Sequence, residues 1–238
     1  MTDDTSPNAW WLDELAHAGP EHLDPGFVAG YDRKQGRPSV EPDLVRMREL
    51  GALTSDATVL DLGAGTGRFA LAAARECERV VAVDVSEAMV GHLAASAARE
   101  GLGNLTVVRS GLLGYVHDGL AVDGVFCRNV LHQLPDLWKG IALDRMATML
   151  RPGGVLRLHD LVYDVEPSAA VAVLDRGIAG GVSDPVDGYT GDDFATHIRT
   201  EHSTYTWLLE EMLARTGFEI LDREIRVQVY ATYTCVRR

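Results

Sequence analysis

Two aspartates and three glycines are the residues best placed to do chemistry. In "VLDLGAGTGRFA" (59–70) an apolar run ends in Asp61, and Gly63, Gly65 and Gly67 follow at every second position. Asp84 closes the next apolar run, "RVVAVDV". Glycines so spaced let a backbone turn sharply and let a ligand approach it closely; alone, they equally serve a tight turn packed under a helix. The phosphate loop GxxxxGK[ST] is not satisfied, because Arg68 follows Gly63 at the fifth position and no lysine follows Gly67. The dinucleotide fingerprint GxGxxG fails too, since its third glycine falls on Arg68. What is left is an acid, a glycine turn and a second acid 23 residues later. A carboxylate at Asp84 accepts from both hydroxyls of a ribose. Asp61 suits an ammonium or a sulfonium as neighbour. S-adenosylmethionine presents all of these groups and has no phosphate.

The elements that must hold these residues alternate. "ATVLDL", "RVVAVDV", "NLTVVR", "AVDGVFCR" and "VLRLHDLV" read as strands separated by helical stretches. Ser86 suits the N-cap of the helix after the second strand, and Gly101 the position past its end. In the helix after the fourth strand, Trp138, Ile141, Ala142, Met146, Met149 and Leu150 recur on one face, and "RPGG" reads as the turn that follows. The chain ends in a helix closed by Gly217 and two strands with almost no loop, an antiparallel hairpin. Alternation of this kind predicts an α/β, Rossmann-like, seven-stranded and mostly parallel sheet with an antiparallel C-terminal hairpin and helices on both faces. Ligands of such sheets bind beyond the carboxyl ends of the strands, where the strand order reverses. Residues 1–50, with Trp10, Trp11, the loop "AGYDRKQGRPSVEP" and a helical "DLVRMREL", read as an N-terminal helical segment or lid. Residues 51–238 read as the ligand-binding domain, with 164–203 an insertion covering the substrate.

Bulk properties narrow the partners. The 238 residues carry a net charge of −13 with only 22 lysines and arginines, which argues against nucleic acid. No apolar stretch approaches the ~20 residues of a membrane helix, and the acidic N-terminus lacks the apolar core of a signal peptide. A cytoplasmic protein with a small-molecule partner is expected, either a monomer or a homodimer. Cys77, Cys127 and Cys235 form no CxxC pair, so neither a zinc site nor a disulfide framework follows from them, and no metal is expected.

"VLDLGAGTGRFA", "VVAVDVSEAMV", "GVFCRNVLHQLPD" and "MLRPGGVLRLHDLV" resemble, in order and spacing, the class I S-adenosylmethionine-dependent methyltransferases, and among them the bacterial small-molecule enzymes. The resemblance implies that Asp61, Gly63, Gly65 and Gly67 surround the methionine part and ribose. It also implies that Asp84 holds the ribose hydroxyls, Val85 and Met89 flank the adenine, and Arg128 and Asn129 line the methionine side. The family often carries an acid after the third strand that meets the adenine amino group. Here that stretch is "VVRSGLLG", which leaves Ser110, Gly111, Leu112 and backbone groups to do so. The chain lacks the [DNS]PPY of enzymes that methylate exocyclic or amide nitrogens.

The implied activity is methyl transfer from S-adenosylmethionine to a small-molecule acceptor by in-line displacement, leaving S-adenosylhomocysteine. A binding protein for the same cofactor, or non-methylating chemistry such as cyclisation, is the alternative. His132, after the fourth strand, is the first candidate for a base, and Tyr31 for closing over the cofactor. His159 reads as a satisfied structural histidine. Glu201 and His202 read as solvated residues ahead of the last helix, and Trp10 and Trp11 as lid or core.

Overall fold

The computed structural model describes residues 10–19, 23–24, 26, 28, 31, 39–184 and 188–238. Of the loop read over "AGYDRKQGRPSVEP", Tyr31 and 39–42 are described, Glu41 and Pro42 being the start of a helix, and the rest falls outside the described residues. β1 (Thr58–Leu62) lies between β2 (Arg79–Asp84) and β4 (Val122–Arg128), parallel to both. β3 (Leu105–Arg109) and β5 (Leu150–Tyr163) extend the parallel sheet on either side. β8 (Tyr230–Arg237) runs antiparallel to β5, and β7 (Phe218–Arg226) antiparallel to β8, forming the expected hairpin. The order is β3-β2-β1-β4-β5-β8-β7, with a two-residue β6 (Thr204–Tyr205) as an eighth strand beside the end of β5. β6 exceeds the seven strands expected because β5 runs on to Tyr163 and offers a pairing edge there. "RPGG" is a bulge within β5 rather than a separate turn: Val122 pairs with Leu150 and Gly124 with Val155, so the residues between loop out, Gly153 at φ 74° among them.

The helices are α1 (Glu14–His17), α2 (Glu41–Glu49), α3 (Arg68–Ala73), α4 (Glu87–Glu100), α5 (Asp136–Met149), α6 (Ala170–Ala179), α7 (Gly191–Thr200) and α8 (Thr206–Arg215). Alternation along β1 splits the core between two faces. Leu60 and Leu62 pack with Leu143 and Met146 of α5 and with Leu209 and Leu213 of α8. Val59 packs on the other face with Met47 of α2, Phe69 of α3 and Leu93 of α4. Each such side chain, fully buried, contributes about 1.5–3 kcal/mol. Ser86 caps α4 by accepting from the Met89 N–H, and Gly101 ends it in the left-handed region.

Outside the sheet, Trp11 packs edge-on against Trp138, while Trp10 stays exposed. A buried polar network ties α2 to the sheet. Asp43 Oδ1 accepts from Arg157 Nε at 2.8 Å and from His159 Nε2 at 2.6 Å. Arg157 continues to Thr234 Oγ1 at 2.7 Å, and His159 Nδ1 meets Thr232 Oγ1 at 2.9 Å. Residues 164–203 form α6 and α7, which pack on each other, with Val173 their only fully buried side chain. A reciprocal pair of bonds between Thr190 and Asp193 starts α7.

Candidate active site

Strand order reverses between β1 and β4, and the cleft opens there. Gly63 and Gly67 both hold positive φ, 74° and 83°, and a Cβ on either would collide with Val130 or Leu93. The turn therefore folds back tightly enough for Gly63 N and Ala64 N to bond Val83 O at the end of β2. Gly65 is the open one, its Cβ direction meeting only Tyr31 at 4.0 Å. Asp84 fixes the geometry from the neighbouring strand: Oδ2 accepts from Gly65 N at 2.8 Å and Oδ1 from Ser86 N at 2.8 Å. At the end of β4, Asn129 adopts φ 55°, a conformation tolerated by asparagine and held by its N–H bonding His159 O at 2.9 Å.

One half of the cleft, about 660 Å³ including its mouth, is lined by Asp84, Val85, Met89, Ser110, Gly111 and Leu112 from one wall and Arg128, Asn129 and Tyr31 from the other. Of the residues named from sequence, these nine come together here, with Gly63 and Gly65. Asp61 lines the second half, with Arg68, Thr66, Phe69 and Tyr31. Gly67 lines neither half; packed under Leu93, it caps the start of α3. His132 is absent from both linings as well.

Charge in the cleft is divided. Asp61 is buried, and burial lifts its carboxyl to about 7, against the Ala70 N–H that stabilises its charge and helped by the nearby Asp84 charge. Beside it, Arg68 Nη1 is buried without a hydrogen-bond partner among the described residues. Burial lowers Arg128, opposed by the charge of Asp43. The second half thus sets a buried acid and a buried guanidinium on one wall.

Two charged residues of the cleft escaped sequence reasoning. Arg68 was visible only as the residue that breaks a glycine fingerprint. Glu14 gave no signal at all, because its partners lie 99 residues away: its Oε1 accepts from Leu113 N at 2.8 Å. Burial raises its carboxyl while backbone N–H groups of Leu112, Leu113 and Gly114 pull it down. A Cβ at residue 111 would lie 2.2 Å from that oxygen, so a glycine there makes room for an acid from another segment.

His132 turns from the cleft into a second cluster. Its Nδ1 is bonded to buried Asp160, and its Nε2 lies 2.9 Å from Glu201 Oε2. Burial disfavours charge on this ring, but the Asp160 carboxylate and then Glu201 outweigh it and raise His132 to about 9. His197 Nδ1 approaches the same Glu201 oxygen at 2.8 Å. Burial would raise Glu201, yet His132 and His197 hold it well below the usual carboxylate range. Glu201, at the end of α7, is thus only partly solvated and turns one carboxylate oxygen inward, where the adjacent His202 N donates to His132 O at 2.7 Å.

Residues 59–154 match the protein-family model of a methyltransferase domain. A search of curated proteins finds no match. Among solved structures, the chain is similar to magnesium protoporphyrin IX methyltransferase from Synechocystis PCC 6803, solved with S-adenosylmethionine bound. They share 18% identity over 97% of this chain and 100% of that one, with a TM-score of 0.65. A SAM-dependent methyltransferase from Aquifex aeolicus has 18% identity, covers 90% of this chain and 99% of that one, and gives 0.60. The [4+2]-cyclase SpnF has 20% identity, with 85% and 84% covered, and gives 0.61. The chain thus carries a methyltransferase-domain match and shares the fold of these solved structures, and the matched stretch holds nearly all of β1, the turn that builds the cleft, and β2 to β4. No helix among the described residues is long and apolar enough to cross a membrane.

Proposed function

We propose that this protein transfers a methyl group from S-adenosylmethionine to a small-molecule acceptor, in the cytoplasm of a bacterium, with residues 164–203 covering the acceptor. The observation that carries the cofactor reading is the cleft's own chemistry. Asp84 sets its carboxylate beside the glycine turn, held by Gly65 N and Ser86 N, Asp61 lines the other half, and among the described residues Arg68 Nη1 is buried there without a partner. A ribose, an ammonium and a carboxylate are the groups that complete this set. Asp84 would hold the ribose hydroxyls, Asp61 the α-ammonium and Arg68 the α-carboxylate. Val85 and Met89 would flank the adenine, and Glu14 would accept from its amino group. When bound, the cofactor supplies a sulfonium methyl group open to in-line attack. The chain's contribution is orientation, which in such reactions is worth about 7–11 kcal/mol. Tyr31 lines both halves of the cleft and would close over the methionine part. The role first read for His132, taking a proton from the acceptor, requires a ring nitrogen facing the cleft. Both of its nitrogens face carboxylates instead.

An apolar cavity of about 1130 Å³ including its mouth, lined by Leu161, Tyr163, Val173, Ile178, Phe194 and His197, supports an acceptor of largely apolar character under α6 and α7. The net charge of −13 supports a small molecule over nucleic acid. Calorimetric titration with S-adenosylmethionine, S-adenosylhomocysteine and NAD tests the proposal. Binding of the first two and not the third is expected, weakened about 30-fold or more in Asp84→Asn, which loses charge-assisted bonds. Equal binding by the variant, or preference for NAD, would sink it. The likeness in fold to a [4+2]-cyclase supports one second reading, cyclisation without methyl transfer. Release of S-adenosylhomocysteine in step with product excludes it.

A further inference from the structure

The cluster joining α7 to the end of β4 takes no part in holding the cofactor, and its geometry asks for an occupant of its own. We propose that His132 Nε2, His197 Nδ1 and Glu201 Oε2 form a binding site for one divalent transition-metal ion, zinc by preference. The three ligand atoms lie within 4.8 Å of one another. Both imidazole nitrogens come to the same carboxylate oxygen, at 2.9 and 2.8 Å. That oxygen is buried and has no hydrogen-bond partner among the described residues, so neither approach has the alignment of an N–H···O bond. Nitrogen lone pairs and a carboxylate oxygen directed at one small volume are what a cation of this size requires.

The surroundings orient both rings as a metal needs. Asp160 engages His132 Nδ1 and also accepts from the backbone N–H of Leu161 at 2.8 Å and of His132 at 3.2 Å, so it is itself immobile. A carboxylate on the far nitrogen sets the tautomer, aims the other lone pair and raises its basicity, the outer-sphere arrangement typical of histidine ligands. His197 Nε2 is likewise held, by Ser203 Oγ at 2.8 Å, which leaves Nδ1 for coordination. Glu201 is fixed on both sides, its own N–H bonding His197 O at 2.9 Å and His202 N bonding His132 O at 2.7 Å. Two neutral imidazoles with the carboxylates of Glu201 and Asp160 balance a dication. Two nitrogens and one oxygen suit zinc, with a fourth position left for water.

The ion would staple the covering segment to the sheet between the cofactor cleft, which Gln133 lines, and the apolar cavity, which His197 lines. This inference does not depend on which cofactor the cleft binds. It rivals a simpler reading, in which protons alone join two histidines to one acid.

The test uses the full chain, stripped with a chelator, equilibrated with Zn²⁺ and passed through gel filtration before elemental analysis. About one zinc per chain is expected, and Co²⁺ in its place should give the visible ligand-field absorption of a four- or five-coordinate site. His197→Ala and Glu201→Gln should each weaken uptake about 100-fold or more and abolish the cobalt spectrum. Asp160→Asn, which changes only the outer partner, should weaken it about 10–100-fold. Glu201→Gln keeps the side chain's size, and circular dichroism of the metal-free variants shows that each remains folded. Sub-stoichiometric zinc in the parent chain, or unchanged uptake in the Glu201→Gln variant, would overturn the proposal in favour of the proton-bridged cluster or binding elsewhere.

Discussion

Adjacent residues of β5 serve two histidine–carboxylate clusters on opposite faces of the sheet. His159 joins Asp43 and Arg157 beneath α2, whereas Asp160 joins His132, with His197 and Glu201 beyond. The residue types are nearly the same, but the accounting differs. In the first cluster each His159 nitrogen has its own partner, and Asp43 collects a guanidinium and an imidazole with good geometry. In the second, two nitrogens crowd one oxygen that neither bonds properly. A satisfied network is an anchor; one that converges without pairing has room for a guest. Counting donors and acceptors atom by atom separates the two where composition does not.

The largest effect should come from the anchor. Asp43→Ala leaves Arg157 and His159 buried without their acid and should cost about 3–5 kcal/mol, read as a lower denaturant midpoint at unchanged slope. Acid should find the same weakness. Burial opposes the Asp43 charge, but His159 and Arg157 outweigh it and hold the carboxyl below its usual value, while burial lowers His159. An acid and a histidine both depressed in the folded chain add stability that is complete above about pH 6.5 and fades as pH falls through their folded values. In Asp43→Asn the part contributed by the carboxyl, below about pH 4, should disappear, while the part from His159 remains. If the variant's acid limb matches that of the parent chain, the anchor lies elsewhere.

Within the cleft the effects are smaller. With its carboxyl at about 7, Asp61 is largely protonated at pH 6 and ionised at pH 8. S-adenosylmethionine should therefore bind up to about 10-fold tighter at the higher pH, and not so in Asp61→Asn. Glu14→Gln should weaken S-adenosylhomocysteine about 3–10-fold, the worth of one hydrogen bond to a charged group, measured by calorimetry. Smallest of all, Glu201→Gln in chelator-treated protein should move the melting free energy by no more than about 1 kcal/mol. A loss near that of Asp43→Ala would mean that the second cluster is an anchor after all.

The sheet was legible because its strands are short apolar runs whose ends carry strong local signals. Ser86 and Gly101 bound α4 as read, and Asp84 closes β2 where a ribose acceptor was expected. Legibility stopped where contacts are remote or weakly patterned. α6 and α7 bury Val173 alone, too little to print a core stripe on the sequence. β6 exists only because β5 overruns the sheet, a property of packing rather than of Thr204 and Tyr205. His132 was singled out for its place after β4, but its orientation depends on Asp160 and Glu201, which no local pattern connects to it. Gly111 was read as the lack of an acid, when it is the space into which Glu14 fits.

That last substitution of one segment for another has a practical edge. Every core strand, α2 with its Asp43 anchor and the whole matched domain lie beyond residue 38, so a chain trimmed to that point keeps the architecture that a folding assay would report. It would lack Glu14 and Tyr31, which close the cleft from outside the domain. Such a truncated protein would look healthy in every test of shape and fail as a receptor, and its silence toward ligands would say nothing about the enzyme.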